Sequence, residues 1–257
     1  MLVQRGLPPR LYFEMYRRFF ARGENAEWNH RIGDLFDWRV SAGPFRGMRY
    51  MGESHGSTFA PKLLGCYERQ LHPIVESIIA RKPRLIIDVG CAEGYYAVGM
   101  AVRTPGAQVL AFDTSDNARM ACQTMARLNG VGDRVKVMGT CTPEYLASLD
   151  LTEAVIVCDC EGFEYKLMDG RSVPSLQKAT MLIEEHPFFF DSPVPVLEEP
   201  FRSTHVIERI DDPSREFPKG WPGLEKLSAE DQQRAVDEGR RRRGVPTIQT
   251  WLYMRPR

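Results

Sequence analysis

The chain carries no net charge, its 34 Lys and Arg being balanced by 34 Asp and Glu over 257 residues. Without a basic excess, a polyanion is a poor main partner, so no nucleic-acid substrate is expected. The one dense basic run, Arg240–Arg243, follows Glu230, Asp231, Asp237 and Glu238, the pattern of a solvated helix with cations towards its C-terminus. Long apolar runs are missing too. No window approaches the length of a membrane span, and Met1–Arg10 lacks the apolar core of a signal peptide, so a cytoplasmic protein is expected. Cysteine is sparse: Cys66, Cys91, Cys122, Cys141, Cys158 and Cys160 fall mostly inside apparent strands and helices, which suits reduced, buried thiols. Cys158 and Cys160 lack a second Cys or His pair, so no metal is expected there. There is no internal repeat and no low-complexity linker. The apolar content of 43% and charged content of 26% are those of an ordinary globular chain, with the oligomeric state left open and a homo-oligomer allowed.

Against this plain background, Leu85–Gly94 (LIIDVGCAEG) stands out as a buried strand running into a glycine turn that contains an acid. Tyr95–Arg103 then reads as a helix, giving a strand–turn–helix unit of the kind that binds nucleotide-like ligands at the carboxyl end of the strand. A phosphate loop would need Lys followed by Ser or Thr after the second glycine, and here Gly94 is followed by Tyr95 and Tyr96. A dinucleotide fingerprint needs three glycines, and the chain offers Gly90, Ala92 and Gly94. Glu93 would also repel a pyrophosphate at the helix N-terminus. An acid-bearing turn suits a ligand with a cationic end, and S-adenosylmethionine, with its sulfonium and amino group, is the expected cofactor. Gln108–Phe112 reads as the next strand and leads into Asp113, whose two carboxylate oxygens suit a pair of ribose hydroxyls. The competing use of Asp113 is as a helix N-cap, alongside Thr114 or Ser115.

From Leu85 onwards strands and helices alternate. Strands are expected near 85–89, 108–112, 134–138, 154–159, 179–185, 203–210 and 247–254, and helices near 94–103, 115–129, 143–149, 163–169 and 228–239. This predicts an α/β fold, a doubly wound, seven-stranded, mostly parallel Rossmann-like sheet over residues 81–257. Residues 1–80 read as a helical and irregular extension, a lid or acceptor-pocket segment using Phe13, Tyr16, Trp28 and Trp38. Within it, Leu11–Phe20 is a candidate aromatic helix, Trp28–Tyr50 reads as irregular strand and loop, and Tyr67–Arg81 as a helix.

A second informative segment is Ala154–Gly162 (AVIVCDCEG), an apolar strand ending in Asp159 and Glu161, which alternation places on one face. Paired acids at a sheet edge pack poorly as core and so favour a function, although Glu161 could simply serve the N-terminus of the following helix. The next strand ends Ile183-Glu184-Glu185-His186, which brings His186 near Asp159 if the two strands are neighbours. His186 is the first choice for a base that takes a hydroxyl proton, and Asp159 the second. Glu185 could orient His186, act as the base, or hold a divalent ion with Asp159; the reading adopted contains no metal.

The motifs Asp88-Val-Gly-Cys-Ala-Glu-Gly-Tyr-Tyr, Ala111-Phe-Asp, Leu128-Asn-Gly, Asp159-Cys-Glu-Gly-Phe-Glu164 and Ile183-Glu-Glu-His186, in this order, resemble the FkbM-like methyltransferases over roughly residues 83–190. The resemblance implies a class I S-adenosylmethionine-dependent enzyme that methylates hydroxyls of small molecules, sugars or other glycan acceptors, and natural products. It also implies cofactor contacts from Asp88, Gly90, Glu93, Gly94 and Asp113, and an acceptor-side role for Asp159 and Glu161. With their neighbours Cys91, Ala92, Tyr95 and Thr114, these residues make up the expected cofactor site. The chain departs from the family at Asp113-Thr114, where Glu-Pro is usual, and at Glu93, where Asn is usual. Two rival functions remain: an NAD(P)-dependent oxidoreductase, disfavoured by the missing third glycine, and a silent binding or scaffold protein, disfavoured by the intact turn and ribose acid.

Overall fold

The computed structural model of the chain describes residues 24–52, 54–187, 196–211, 220–238, 241–242, 245–246 and 250–257. Its strands are β1 (Leu85–Val89), β2 (Gln108–Phe112), β3 (Val135–Met138), β4 (Val155–Cys158), β5 (Thr180–Glu185), β6 (His205–Asp211), a short pair β7 (Arg241–Arg242) and β8 (Val245–Pro246), and β9 (Thr250–Pro256). The main sheet has seven strands in the order β3-β2-β1-β4-β5-β9-β6. The first five run parallel, while β9 pairs antiparallel with both β5 and β6. The strand order reverses at β1 and β4, and this switch point opens a crevice beyond their carboxyl ends.

The central strands are apolar because both of their faces are covered. Ile86, Val155 and Val157 enter one core cluster, and Ile87, Ile156 and Cys158 enter the other, as the two-residue period requires. The helices Tyr95–Arg103 and Asp116–Leu128 pack on the first side. No helix of the described residues is long and apolar enough to cross a membrane.

The extension joins the same core. Glu24–Leu35 is an α-helix, where Trp28–Tyr50 was expected to be irregular throughout. Trp28, Ile32 and Phe36 recur every fourth residue and are buried, a helical stripe that outweighs the cost of Gly33. Beyond it the chain does turn irregularly, with one bridge between Arg39 and Arg49. The helix expected over Tyr67–Arg81 begins as a 3-10 turn, Arg69–Leu71, and becomes α-helical over His72–Ala80, with Pro73 in its first turn. Trp28 and Trp38, expected to serve an acceptor pocket, lie in the hydrophobic core at 8% and 7% exposure. The candidate helix Leu11–Phe20, with Phe13 and Tyr16, lies outside the described residues.

Candidate functional site

The glycine turn follows β1, and its backbone explains its composition. Gly90 and Gly94 have φ of +81° and +95°, in the left-handed region that favours glycine. A Cβ on Gly90 would collide with the carbonyl oxygen of Asp159, so only glycine lets the end of β4 pass this close. The amides of Gly90 and Cys91 both donate to the Phe112 carbonyl at 2.9 Å. The Ala92 amide donates to Asp113 Oδ2 at 2.9 Å and the Ser115 amide to Asp113 Oδ1 at 2.8 Å. Asp113 therefore ties the turn after β1 to the end of β2. Ser115, and not Asp113, caps the following helix, accepting from the Ala118 amide at 3.3 Å.

These elements enclose a cavity of about 660 Å³, within the roughly 300–1,000 Å³ usual for small-molecule sites. Asp88, Gly90, Cys91, Ala92, Tyr95, Asp113 and Thr114 line it, and Asp159 and Glu161 stand at its far side. His55, Ser57, Lys62 and Tyr67 from the extension contribute to its wall. Two buried polar atoms in this wall, Asp88 Oδ2 and the Tyr95 hydroxyl, have no hydrogen-bond partner among the described residues. Burial pushes the Asp88 carboxyl up to about 7, and the charges of Asp159 and Asp113 add to the effect.

Glu93 behaves differently from expectation. It is fully buried and points into the extension, away from the cavity wall. It forms an ion pair with Lys62 and also accepts from the Tyr50 hydroxyl, from the His55 amide at 2.8 Å and from Ser54 Oγ at 3.3 Å. Burial alone would raise its pKa, but the Lys62 charge and these donors outweigh that and hold it below the ordinary carboxylate range. The acid in the turn is thus neutralised internally and ties Tyr50, Ser54, His55 and Lys62 of the extension to the glycine turn. Asp88 is the acid that faces the cavity.

At the far side, β4 and β5 are neighbours, and His186 lies beside Asp159 as the strand reading anticipated. His186 Nε2 is 3.6 Å from Asp159 Oδ1, 3.7 Å from Glu184 Oε1 and 3.8 Å from Glu161 Oε2. Its Nδ1 is 3.1 Å from Glu164 Oε1, and its own amide donates to the same oxygen at 2.9 Å. Burial lowers the imidazole pKa, but the Glu164 hydrogen bond and the surrounding carboxylates outweigh it, and the net shift is upward. Burial, with Glu68 and Glu161 nearby, pushes Asp159 up to about 6. Glu185 is not part of this group. Alternation along β5 turns it to the other face from Glu184 and His186, where it pairs with Arg209 at 2.5 Å, and Arg209 also meets Glu198 at 3.2 Å.

No family model matches the sequence, and no curated protein matches it. Solved structures do. The delta-N METTL16 MTase domain is 13% identical with a TM-score of 0.50, over 90% of this chain and 99% of that one. The O-methyltransferase TomG from Streptomyces achromogenes, solved in complex with SAM, is 12% identical with a TM-score of 0.46, over 95% of each chain. The fold is the Rossmann-like methyltransferase fold. An O-methyltransferase family protein from Burkholderia thailandensis is 18% identical with a TM-score of 0.32; the match covers 46% of this chain and spans only 39% of that protein.

Within this methyltransferase fold, sequence reading missed Lys62, Tyr50, Glu184 and the orienting contact of Glu164. The two-residue period of β5 did carry a signal for Glu184, since it shares a face with His186. Lys62 and Tyr50 offered none, because they reach Glu93 from 31 and 43 residues away through a segment without periodicity.

Proposed function

We propose that the protein is an S-adenosylmethionine-dependent methyltransferase of the FkbM-like kind, acting on a hydroxyl of a small molecule, sugar or natural product. The observation that carries this reading is one cavity that joins the glycine turn, Asp113 and the unpartnered Asp88 oxygen to the acidic group around Asp159. The cofactor supplies a methyl group on a sulfonium, ready for displacement. Asp113 would hold its ribose hydroxyls, and Asp88 its amino group, which satisfies the buried carboxylate oxygen. Gly90 lets the backbone approach closely. Asp159, which lines the cavity, is the side chain that meets the acceptor hydroxyl. His186 is almost fully buried behind it, and so acts through Asp159 by fixing its position and sharing its proton. Proximity and alignment in the cavity then provide much of the acceleration.

Calorimetric titration with S-adenosylhomocysteine, with NADH and NADPH alongside, tests this. Micromolar binding of S-adenosylhomocysteine alone is the expected result. Binding of NAD(P)H alone would favour the oxidoreductase, and silence towards all three the scaffold.

Asp88 predicts a pH dependence. Its folded-state pKa of about 7 lies above its ordinary value of 3.8, so the folded protein holds this proton longer, and the Asp88 contribution to stability declines between these two values. An ammonium group prefers the ionised form, so affinity for S-adenosylhomocysteine should rise by up to about tenfold per pH unit towards pH 7 and level off above it. Asp88→Asn should bind weakly and show a flat profile between pH 6 and 8. A parallel slope in the variant would remove Asp88 from the amino-group site.

A further inference from the structure

Methyl transfer by itself does not require four carboxylates around one histidine, yet Asp159, Glu161, Glu164 and Glu184 each place an oxygen within 3.8 Å of a His186 ring nitrogen. The histidine brings at most one positive charge to the four. Glu164, Glu184 and His186 are buried, whereas the Asp159 and Glu161 side chains are 35% and 70% exposed, so the group has a buried inner half and an open side. Three of the side chains converge more closely. One oxygen each from Asp159 and Glu184 and one His186 nitrogen all lie within 4.8 Å of one another. The separations of 3.6 and 3.7 Å from Nε2 to the two oxygens are close to those of ligands sharing one ion, since two ligands at about 2.1 Å stand roughly 3.0–3.6 Å apart at ordinary angles.

The histidine is also oriented for this purpose. Glu164 is fully buried, and the Gly162 amide fixes one of its oxygens at 2.8 Å. Its other oxygen receives both the backbone amide and Nδ1 of His186. That contact makes Nδ1 the donor to Glu164 and turns Nε2 towards Asp159 and Glu184, where an ion would take the place of a proton on Nε2. Ligating histidines are held in this way, with the second nitrogen on a carboxylate.

We propose that Asp159, Glu184 and His186 bind a divalent first-row cation of the Mn²⁺ type. Two carboxylates and one imidazole suit such an ion better than Mg²⁺, which favours all-oxygen ligands, or a thiolate-seeking ion. Asp159 also lines the cavity, so the ion stands at its wall, with coordination positions left for an acceptor oxygen. That purpose rests on the methyltransferase reading; the binding of the ion does not. A coordinated hydroxyl would lose its proton more readily, which is the help that methylation of a neutral oxygen needs.

The test uses the full chain after chelator treatment. Free Mn²⁺ is followed by electron paramagnetic resonance, and S-adenosylhomocysteine binding is measured calorimetrically on the same samples. One Mn²⁺ per chain is expected, with affinity reduced at least tenfold in Glu184→Gln and His186→Gln. Glu164→Gln should lose about 10–100-fold through the misoriented imidazole, and Glu185→Gln should match the parent. Thermal melts of each variant show that it is folded. Absence of stoichiometric Mn²⁺ binding to parent protein that binds S-adenosylhomocysteine overturns the proposal, as does equal Mn²⁺ affinity in the parent and the folded Glu184→Gln and His186→Gln variants. Site-dependent Mn²⁺ binding without S-adenosylhomocysteine binding upholds the metal site and overturns the methyltransferase reading.

Discussion

Lys62→Met is expected to destabilise the folded protein by about 3–5 kcal/mol, the usual cost of removing one partner of a buried ion pair. For a chain of this size that corresponds to a fall of roughly 10 °C in Tm. The side chains of Lys62 and Glu93 are 4% and 0% exposed, so water cannot replace the lost ammonium. Methionine fills a similar volume, which confines the effect to the charge. The pH dependence identifies the cause. In the parent protein Glu93 is held below its ordinary value of 4.5, so its contribution to stability is present above that pH and is lost on acidification. Without Lys62 the dominant lowering influence is gone and burial prevails, so the variant suffers most at neutral pH. The Tm difference should therefore narrow as the pH falls from neutral, first as Glu93 takes up a proton in the variant above pH 4.5 and then as the parent loses its own contribution below it. The double variant Lys62→Met/Glu93→Gln should cost less than the sum of its parts. A Tm for Lys62→Met within about 2 °C of the parent would mean that Glu93 does not clamp the extension.

Asp113→Ala should weaken S-adenosylhomocysteine binding by a factor of roughly 10²–10⁴. A hydrogen bond to a charged group contributes about 1.5–3 kcal/mol, and the proposed ribose contact makes two of them. The carboxylate is already fixed by the Ala92 and Ser115 amides, so little ordering remains to be done when a ligand arrives. The same variant releases the turn from β2, which adds to the loss. Asp113→Asn keeps one acceptor oxygen but sets an amide donor against a backbone N–H, and should fall between the two. Isothermal titration of the three proteins decides the matter. A loss below about threefold in Asp113→Ala would leave Asp113 as a structural tie alone.

Much of the fold was legible because it is written in short-range patterns. The run Leu85–Val89, the glycines at 90 and 94, and the regular return of apolar strands each reflect a local requirement: burial on both faces, positive φ, a two-residue period. Strand adjacency was also enough to bring His186 to Asp159. The helix Glu24–Leu35 was missed although its every-fourth-residue stripe was present, because aromatics and glycine read as loop until burial showed which residues face the core.

The charges were another matter. The sequence alone determined that an acid sits in the turn, that a carboxylate follows β2, and that acids and a histidine end β4 and β5. Only the tertiary structure decided that Glu93 is spent on Lys62 while Asp88 faces the cavity, and that Glu184 and Glu164, not Glu185, attend His186. A backbone pattern depends on neighbours along the chain, whereas a buried charge depends on whichever partner the fold brings within a few ångströms.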